Sequence, residues 1–378
     1  MTKLKELLAH GQSVWLDNID RDMLISGALK TQIAMGLRGM TSNPAIFEKA
    51  LSTGTAYDSS LRRLFGSRKT MADIFEVLAV EDVREAADQF FPVYEESKGT
   101  DGFVSIEVSP HLARDTEGTL ADARRLWKLV DRPNVMIKIP ATKEGLPAIE
   151  KCLSEGIPIN VTLIFSVERY RDVLEAHQRA MLLREKEGKS LAIESVASFF
   201  ISRMDVAVDK ILQEKIQKST NTSEKDALLE LLGKTAVANA KAAYHLYKHH
   251  YGRPAWDPIK NKGGRPQRPL WASTGTKNPH YPDLLYVDSL IGLNTVNTLP
   301  PKTLEAFLDH GTVAETLEAG VDEARKTLEQ LKIQKIDLTK VSDALEREGV
   351  QLFVDAYEKL LAGLGAKKET MPLAAKKS

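Results

Sequence analysis

Lys138 stands between two isoleucines in the run Asn134-Val-Met-Ile-Lys-Ile-Pro-Ala-Thr, a stretch with the composition of a buried strand. Lysine is rarely buried unless it is paired or used. Desolvation disfavours the ammonium form and frees an amine that can attack a carbonyl. Alternation along a strand sends Val135, Ile137 and Ile139 to one face, and Met136 and Lys138 to the other. The expected chemistry is that of a Schiff-base nucleophile. The plainer alternative is a strand-end lysine paired with a carboxylate.

Other strand-like runs carry polar residues in the same alternation. Phe103-Val-Ser-Ile-Glu-Val-Ser sets Ser105, Glu107 and Ser109 opposite Val104, Ile106 and Val108. Asp17 lies opposite Val14 and Leu16, while Asn160 and Thr162 lie opposite Ile159, Val161 and Leu163. Parallel strands covered on both faces are usually apolar throughout, so these polar positions need a shared interior.

The elements that must position them are legible. Candidate strands are Ser13–Asn18, Leu37–Ser42, Phe103–Ser109, Asn134–Ala141, Pro158–Phe165, Ile193–Phe200, Pro269–Thr274 and Gly292–Thr298. Amphipathic helices lie between most of them, at Met71–Ser97, Thr119–Leu129, Leu146–Glu155, Val167–Lys186 and Ser202–Gln217. Strand–helix alternation implies a parallel sheet, and eight such units fit a (β/α)₈ barrel with extra helices. Asp17, Glu107, Lys138, Asn160 and Thr162 would then converge inside, toward the C-terminal mouth where barrel sites sit.

We expect a single barrel over residues 1–364. Residues 218–268 exceed what a barrel connection needs and read as a helix–loop insertion before the seventh strand. That insertion is expected near the mouth, where it would cover substrate phosphate. The stretch 365–378, with four lysines, reads as a flexible C-terminal tail.

Composition narrows the function classes. Lysine plus arginine and aspartate plus glutamate number 52 each, a balance that argues against nucleic acid or an anionic membrane as the main partner. The single cysteine, Cys152, can form no intrachain disulfide, so a reducing, cytoplasmic setting is expected. No apolar run reaches membrane-spanning length, and the first residues lack a secretory pattern. Cys152 reads as a buried small hydrophobe, Lys143 as an exposed loop lysine, and Gly263-Gly264-Arg265 as a hinge. The histidines, His249-His250 included, show no metal-ligand spacing.

These residues, with Met40-Thr-Ser-Asn-Pro-Ala-Ile-Phe-Glu-Lys, Asn160-Val-Thr-Leu-Ile-Phe-Ser and Leu270-Trp-Ala-Ser-Thr-Gly-Thr-Lys-Asn-Pro, resemble the transaldolase family. The likeness runs from about Ser13 to about Gly311 and is nearest to the longer bacterial form. It implies a class I aldolase-type barrel moving a dihydroxyacetone unit between phosphorylated sugars of the non-oxidative pentose phosphate pathway. Donors would be sedoheptulose 7-phosphate or fructose 6-phosphate; acceptors would be glyceraldehyde 3-phosphate or erythrose 4-phosphate. It implies no metal and no organic cofactor, because the lysine imine is itself the electron sink. The oligomeric state is left open between monomer and homodimer.

The resemblance also implies roles. Lys138 forms the imine, Asp17 serves as base on the departing hydroxyl, and Glu107 with Thr162 handles the imine water. Asn43, Asn160 and Ser198 would hold donor hydroxyls, although Thr41-Ser-Asn-Pro is equally ordinary helix-start chemistry. Thr41 reads as support. Arg203, Ser273 and Lys277 are candidates for the substrate phosphate, an arginine fork suiting phosphate oxygens. Shorter transaldolases carry an arginine two residues beyond the serine, where this chain has Gly275, so Lys277 is the weaker carry-over and Arg265 and Arg268 are further candidates. Phe200 and Glu107 favour transfer over the related fructose 6-phosphate aldolase activity, whose enzymes tend to carry tyrosine and glutamine there. A non-catalytic phosphosugar-binding barrel is the rival from another class.

Overall fold

The alternation seen in the strands has its cause in a closed barrel. In the computed structural model, which describes residues 1–371, eight parallel strands pair in sequence order and the eighth closes on the first. They are β1 Gln12–Asp17, β2 Gly39–Thr41, β3 Phe103–Glu107, β4 Val135–Pro140, β5 Ile159–Ile164, β6 Ser195–Phe200, β7 Arg268–Ala272 and β8 Thr295–Leu299. Every expected strand is present, with ends shifted by a few residues. β2 is the shortest, and Gly39 lies tightly against its neighbours: a Cβ there would stand 2.6 Å from the Trp15 ring and 2.8 Å from the Phe103 carbonyl oxygen.

One face of each strand meets a surrounding layer of helices, including Met71–Glu96, Thr116–Val130, Gly145–Glu155 and Val167–Lys186. Val104, Ile106, Val135, Ile137 and Ile139 are buried, and each side chain of this kind contributes about 1.5–3 kcal/mol. The other face brings polar groups inside the barrel, and several of them satisfy one another. Asn160 donates to Ser105 Oγ at 3.0 Å, and Ser198 donates to Asn160 Oδ1 at 2.7 Å. Register aligns Glu107 with Lys138 and Lys138 with Asn160 on adjacent strands.

The N-terminal end of the barrel is closed by a charged plug. Arg268, at the start of β7, donates to Ser13 Oγ at 3.1 Å and to Asp101 Oδ1 at 3.2 Å, and its Nε lies 3.8 Å from Glu194. Arg265 donates to the carbonyl oxygens of Lys98 and Gly99, just before β3. The tip of the 218–268 insertion therefore sits at the end opposite the mouth. This corrects the expectation that it covers substrate phosphate, and removes Arg265 and Arg268 as phosphate ligands. The insertion comprises helices Thr222–Leu229 and Thr235–Tyr251, with short turns at Pro254–Trp256 and Asp257–Lys260. The longer helix docks through Asn239 to the Phe165 carbonyl and Tyr251 to His177.

At the mouth, the C-terminal helix Leu338–Thr370 crosses the barrel. Its buried residues Leu345, Gly349, Phe353, Leu360 and Leu364 recur at spacings that form one face. Asp337 caps it by accepting from the backbone N–H of Thr339 and Lys340. The helix runs past Leu364, where a flexible tail is expected, because Leu364 is buried and Lys367 donates to the Leu51 carbonyl at 2.7 Å. The rest of that expected tail, 372–378, lies outside the described residues. Among the described residues, no helix is long and apolar enough to cross a membrane.

Candidate active site

Lys138 rises from the middle of β4 and is 4% exposed. Its ammonium donates to the Ser42 carbonyl at 3.1 Å and lies 3.8 Å from Glu107 Oε2. Both groups are inward because the strand alternation places them there, and the β3–β4 register sets them side by side. Asp17 ends β1, and its Oδ1 accepts from Thr41 Oγ1 at 2.7 Å. Thr41 in turn lies 2.7 Å from Thr298 Oγ1, so it supports Asp17 from β2.

The two carboxyls are tuned by what surrounds them. Burial pushes Glu107 up to about 7; the Lys138 charge opposes this and the Asp17 charge adds to it. The 3.8 Å ion pair is thus too loose to offset desolvation. Asp17 keeps partial contact with the cavity, yet burial still raises it, against the opposing effects of Lys138, the Thr41 hydrogen bond and Lys277. Glu107 Oε2 and Thr162 Oγ1 are both buried with no hydrogen-bond partner among the described residues. Both are free to bond a group brought in beside them.

A cavity of about 130 Å³ joins these groups. Asp17, Asn43, Lys138, Thr162, Ser198, Phe200, Arg203, Ser273 and Lys277 all line it. Asn160 sits behind Ser198 through their hydrogen bond, and Glu107 approaches through Lys138. Asn43 has both of the characters its sequence allows: its Oδ1 caps helix Pro44–Ser52 by accepting from Ile46 N at 3.0 Å, while the residue also faces the cavity. Arg203 follows β6 with its guanidinium 5.4 Å from the Phe200 ring; burial lowers its pKa and Glu348 opposes that. Ser273 lies 2.9 Å from Ser202 Oγ and adopts φ +57, a left-handed backbone that turns the chain sharply after β7. Lys277 is exposed at the rim, close enough to Asp17 to act on its charge.

Three participants carry no local signature in the sequence. Ser42 contributes only its carbonyl, Thr298 a hydroxyl from β8, and Phe353 a ring centred 5.7 Å from the Lys138 ammonium. Phe353 sits on the C-terminal helix, and the available clue was that helix's single apolar face. A larger cavity of about 500 Å³ lies between the helices outside β3 and touches Glu107 and Asn43, but it does not reach Lys138. The smaller one is the cavity that Lys138 lines.

The arrangement can form an imine, move protons on two sides of it, and hold an anion at the mouth. Comparison with known proteins points the same way. The family described as transaldolase/fructose-6-phosphate aldolase matches residues 14–364. A transaldolase of Thermobifida fusca is 49% identical over 361 residues, covering 95% of this chain and 96% of its own. One of Trichodesmium erythraeum is 45% identical over 368 residues, covering 96% and 97%. One of Thiobacillus denitrificans is 46% identical over 370 residues, covering 97% and 100%. Because the match runs from the first strand into the helix that crosses the mouth, the chain belongs to the transaldolase/fructose-6-phosphate aldolase family.

Proposed function

We propose that the protein is a transaldolase, transferring a dihydroxyacetone unit from sedoheptulose 7-phosphate or fructose 6-phosphate to glyceraldehyde 3-phosphate or erythrose 4-phosphate. The observation that carries the reading is the buried Lys138 ammonium, beside Glu107, lining the cavity that Asp17 enters and Arg203 borders. The relatives named transaldolase support it across nearly the whole chain.

Lys138 Nζ attacks the donor ketone, and the carbinolamine loses water to give a protonated imine. Thr162 holds that water while Glu107, poised near neutrality, moves its proton. Asp17 takes the proton from the C4 hydroxyl; the C3–C4 electron pair flows into the imine and the aldehyde leaves. The enamine then adds to the acceptor aldehyde, Asp17 returns the proton to the new alkoxide, and water releases the product ketose. Asn43, Asn160 and Ser198 are assigned to the donor hydroxyls. Arg203, with Ser273 and Lys277, is assigned to the phosphate. The imine supplies the electron sink, so the reading calls for no metal or organic cofactor.

The family also contains fructose 6-phosphate aldolases. Phe200 supports transfer, because a ring packed 5.2 Å from Phe165 offers no hydrogen bond to a water that would protonate the enamine. Balanced charge and one buried cysteine support a cytoplasmic setting. The test is borohydride reduction in the presence of fructose 6-phosphate, followed by peptide mass spectrometry. A reduced three-carbon adduct on Lys138 is expected. Its absence from folded protein would sink the enzyme reading and favour a non-catalytic phosphosugar-binding barrel.

A further inference from the structure

Thr162 stands at a break in its own strand. β5 pairs with β6 through Val161↔Ala197 and resumes at Ile164↔Phe199, so two residues, Thr162 and Leu163, oppose Ser198 alone. This is a bulge, a device that re-aims side chains near sites. Leu163 adopts φ +58, the left-handed region that a residue with a Cβ avoids. The strict alternation expected from the sequence, with Leu163 facing the same way as Ile159 and Val161, is broken here.

The two edges of Thr162 are held unequally. On the β4 side it pairs with Pro140, and its carbonyl accepts from Ala141 N at 2.7 Å. On the β6 side the ladder is interrupted. The Leu163 side chain meets the C-terminal helix. A Cβ at Gly349 would stand 2.9 Å from Leu163 Cδ2 and 3.6 Å from Arg203 Nη1, so the leucine methyls occupy the room that the glycine leaves. One helical turn further, Phe353 faces the Lys138 ammonium at 5.7 Å. A single helix face therefore meets both the bulge and the lysine.

We propose that Leu163 and Gly349 are a positioning pair: the left-handed backbone at Leu163 sets where Thr162 Oγ1 stands relative to Lys138, and Gly349 leaves the room the leucine needs to keep that backbone. This rests on the reading of Thr162 as the residue that holds the imine water, and it adds how that residue is aimed.

The experiment compares Leu163→Gly, Leu163→Val, Thr162→Ala and the Thr162→Ala/Leu163→Val double variant, with kcat and KM measured per folded molecule and Tm recorded separately. Valine is β-branched and resists positive φ, so Leu163→Val is expected to lower kcat about tenfold with the donor KM within about twofold. Glycine accepts that backbone, so Leu163→Gly should keep kcat within about threefold while showing the larger drop in Tm. In the Thr162→Ala background, Leu163→Val should change kcat less than about twofold, because the group it aims is gone. Gly349→Ala approaches from the helix side: its new methyl should lower kcat several-fold with Leu163 present, and not in the Leu163→Gly background.

A leucine that merely packs gives the reverse order, with glycine worse than valine in kcat as well as Tm. That result, or additive effects in the double variant, overturns the pair. Unimpaired turnover in Thr162→Ala would instead overturn the reading of Thr162 and take the pair with it.

Discussion

Replacing Glu107 with glutamine removes a carboxyl that the fold holds in an uncomfortable state. Burial raises its pKa from 4.5 to about 7, against the pull of Lys138 3.8 Å away. A carboxyl whose folded pKa is raised binds more protons folded than unfolded between those two values. Stability is therefore fullest below 4.5 and is lost as pH climbs through about 7. With each pK unit worth about 1.36 kcal/mol, the cost of Glu107 is about 1 kcal/mol at about pH 5 and about 3 kcal/mol at about pH 8. Glutamine has the same shape, can hydrogen-bond and does not ionise. Glu107→Gln should thus be more stable than the parent by about those amounts at the two pH values. Asp17 titrates in both proteins and cancels to first order. Urea unfolding at both pH values, with m unchanged, measures the difference. Turnover should meanwhile fall about 100-fold or more, the scale for losing a positioned proton carrier. Equal stabilisation at both pH values would show that the ion pair with Lys138 offsets burial, destabilisation at the higher one that it outweighs burial, and either would refute the reasoning.

Lys138→Ala should abolish turnover while leaving the affinity for donor phosphate, measured by calorimetry, nearly intact, because Arg203 and Ser273 remain. Arg203→Gln should raise the donor KM about tenfold or more, since a charge-assisted fork to phosphate is lost; an unchanged KM would remove Arg203 from the phosphate site. Arg268→Met leaves Asp101 and Glu194 buried without their cation and should cost about 3 kcal/mol of stability in urea unfolding, with KM per folded molecule unchanged. Phe353→Ala opens a cavity under the C-terminal helix and should cost about 3 kcal/mol, read in the same unfolding assay.

Much of the barrel and of its site is legible in one dimension, because a strand encodes its faces with period two. Asp17, Glu107, Lys138, Asn160 and Thr162 stand out as polar residues opposite aliphatic ones, and each turns inward for the same reason: helices cover the other face. The roles assigned to them rest on chemistry and resemblance; their meeting in space is a matter of register, which aligns Glu107 with Lys138 and Lys138 with Asn160.

Periodicity says nothing about which end of a barrel a long connection visits. Arg265 and Arg268 are cations beside a mouth-bound strand in the sequence, yet they seal the opposite end, through partners around residue 100. Nor does periodicity report its own interruption: the bulge at Leu163 packs where Gly349, on a helix far along the chain, leaves room for it. Phe353 and the Ser42 carbonyl reach Lys138 only because that helix crosses the mouth and Ser42, just past β2, is held over β3 by its hydroxyl on the Ser105 carbonyl. Local pattern determines faces, since the forces that set it act within a few residues. Ends, crossings and the aim of a single hydroxyl depend on contacts between remote segments, and those exist only once the chain has folded.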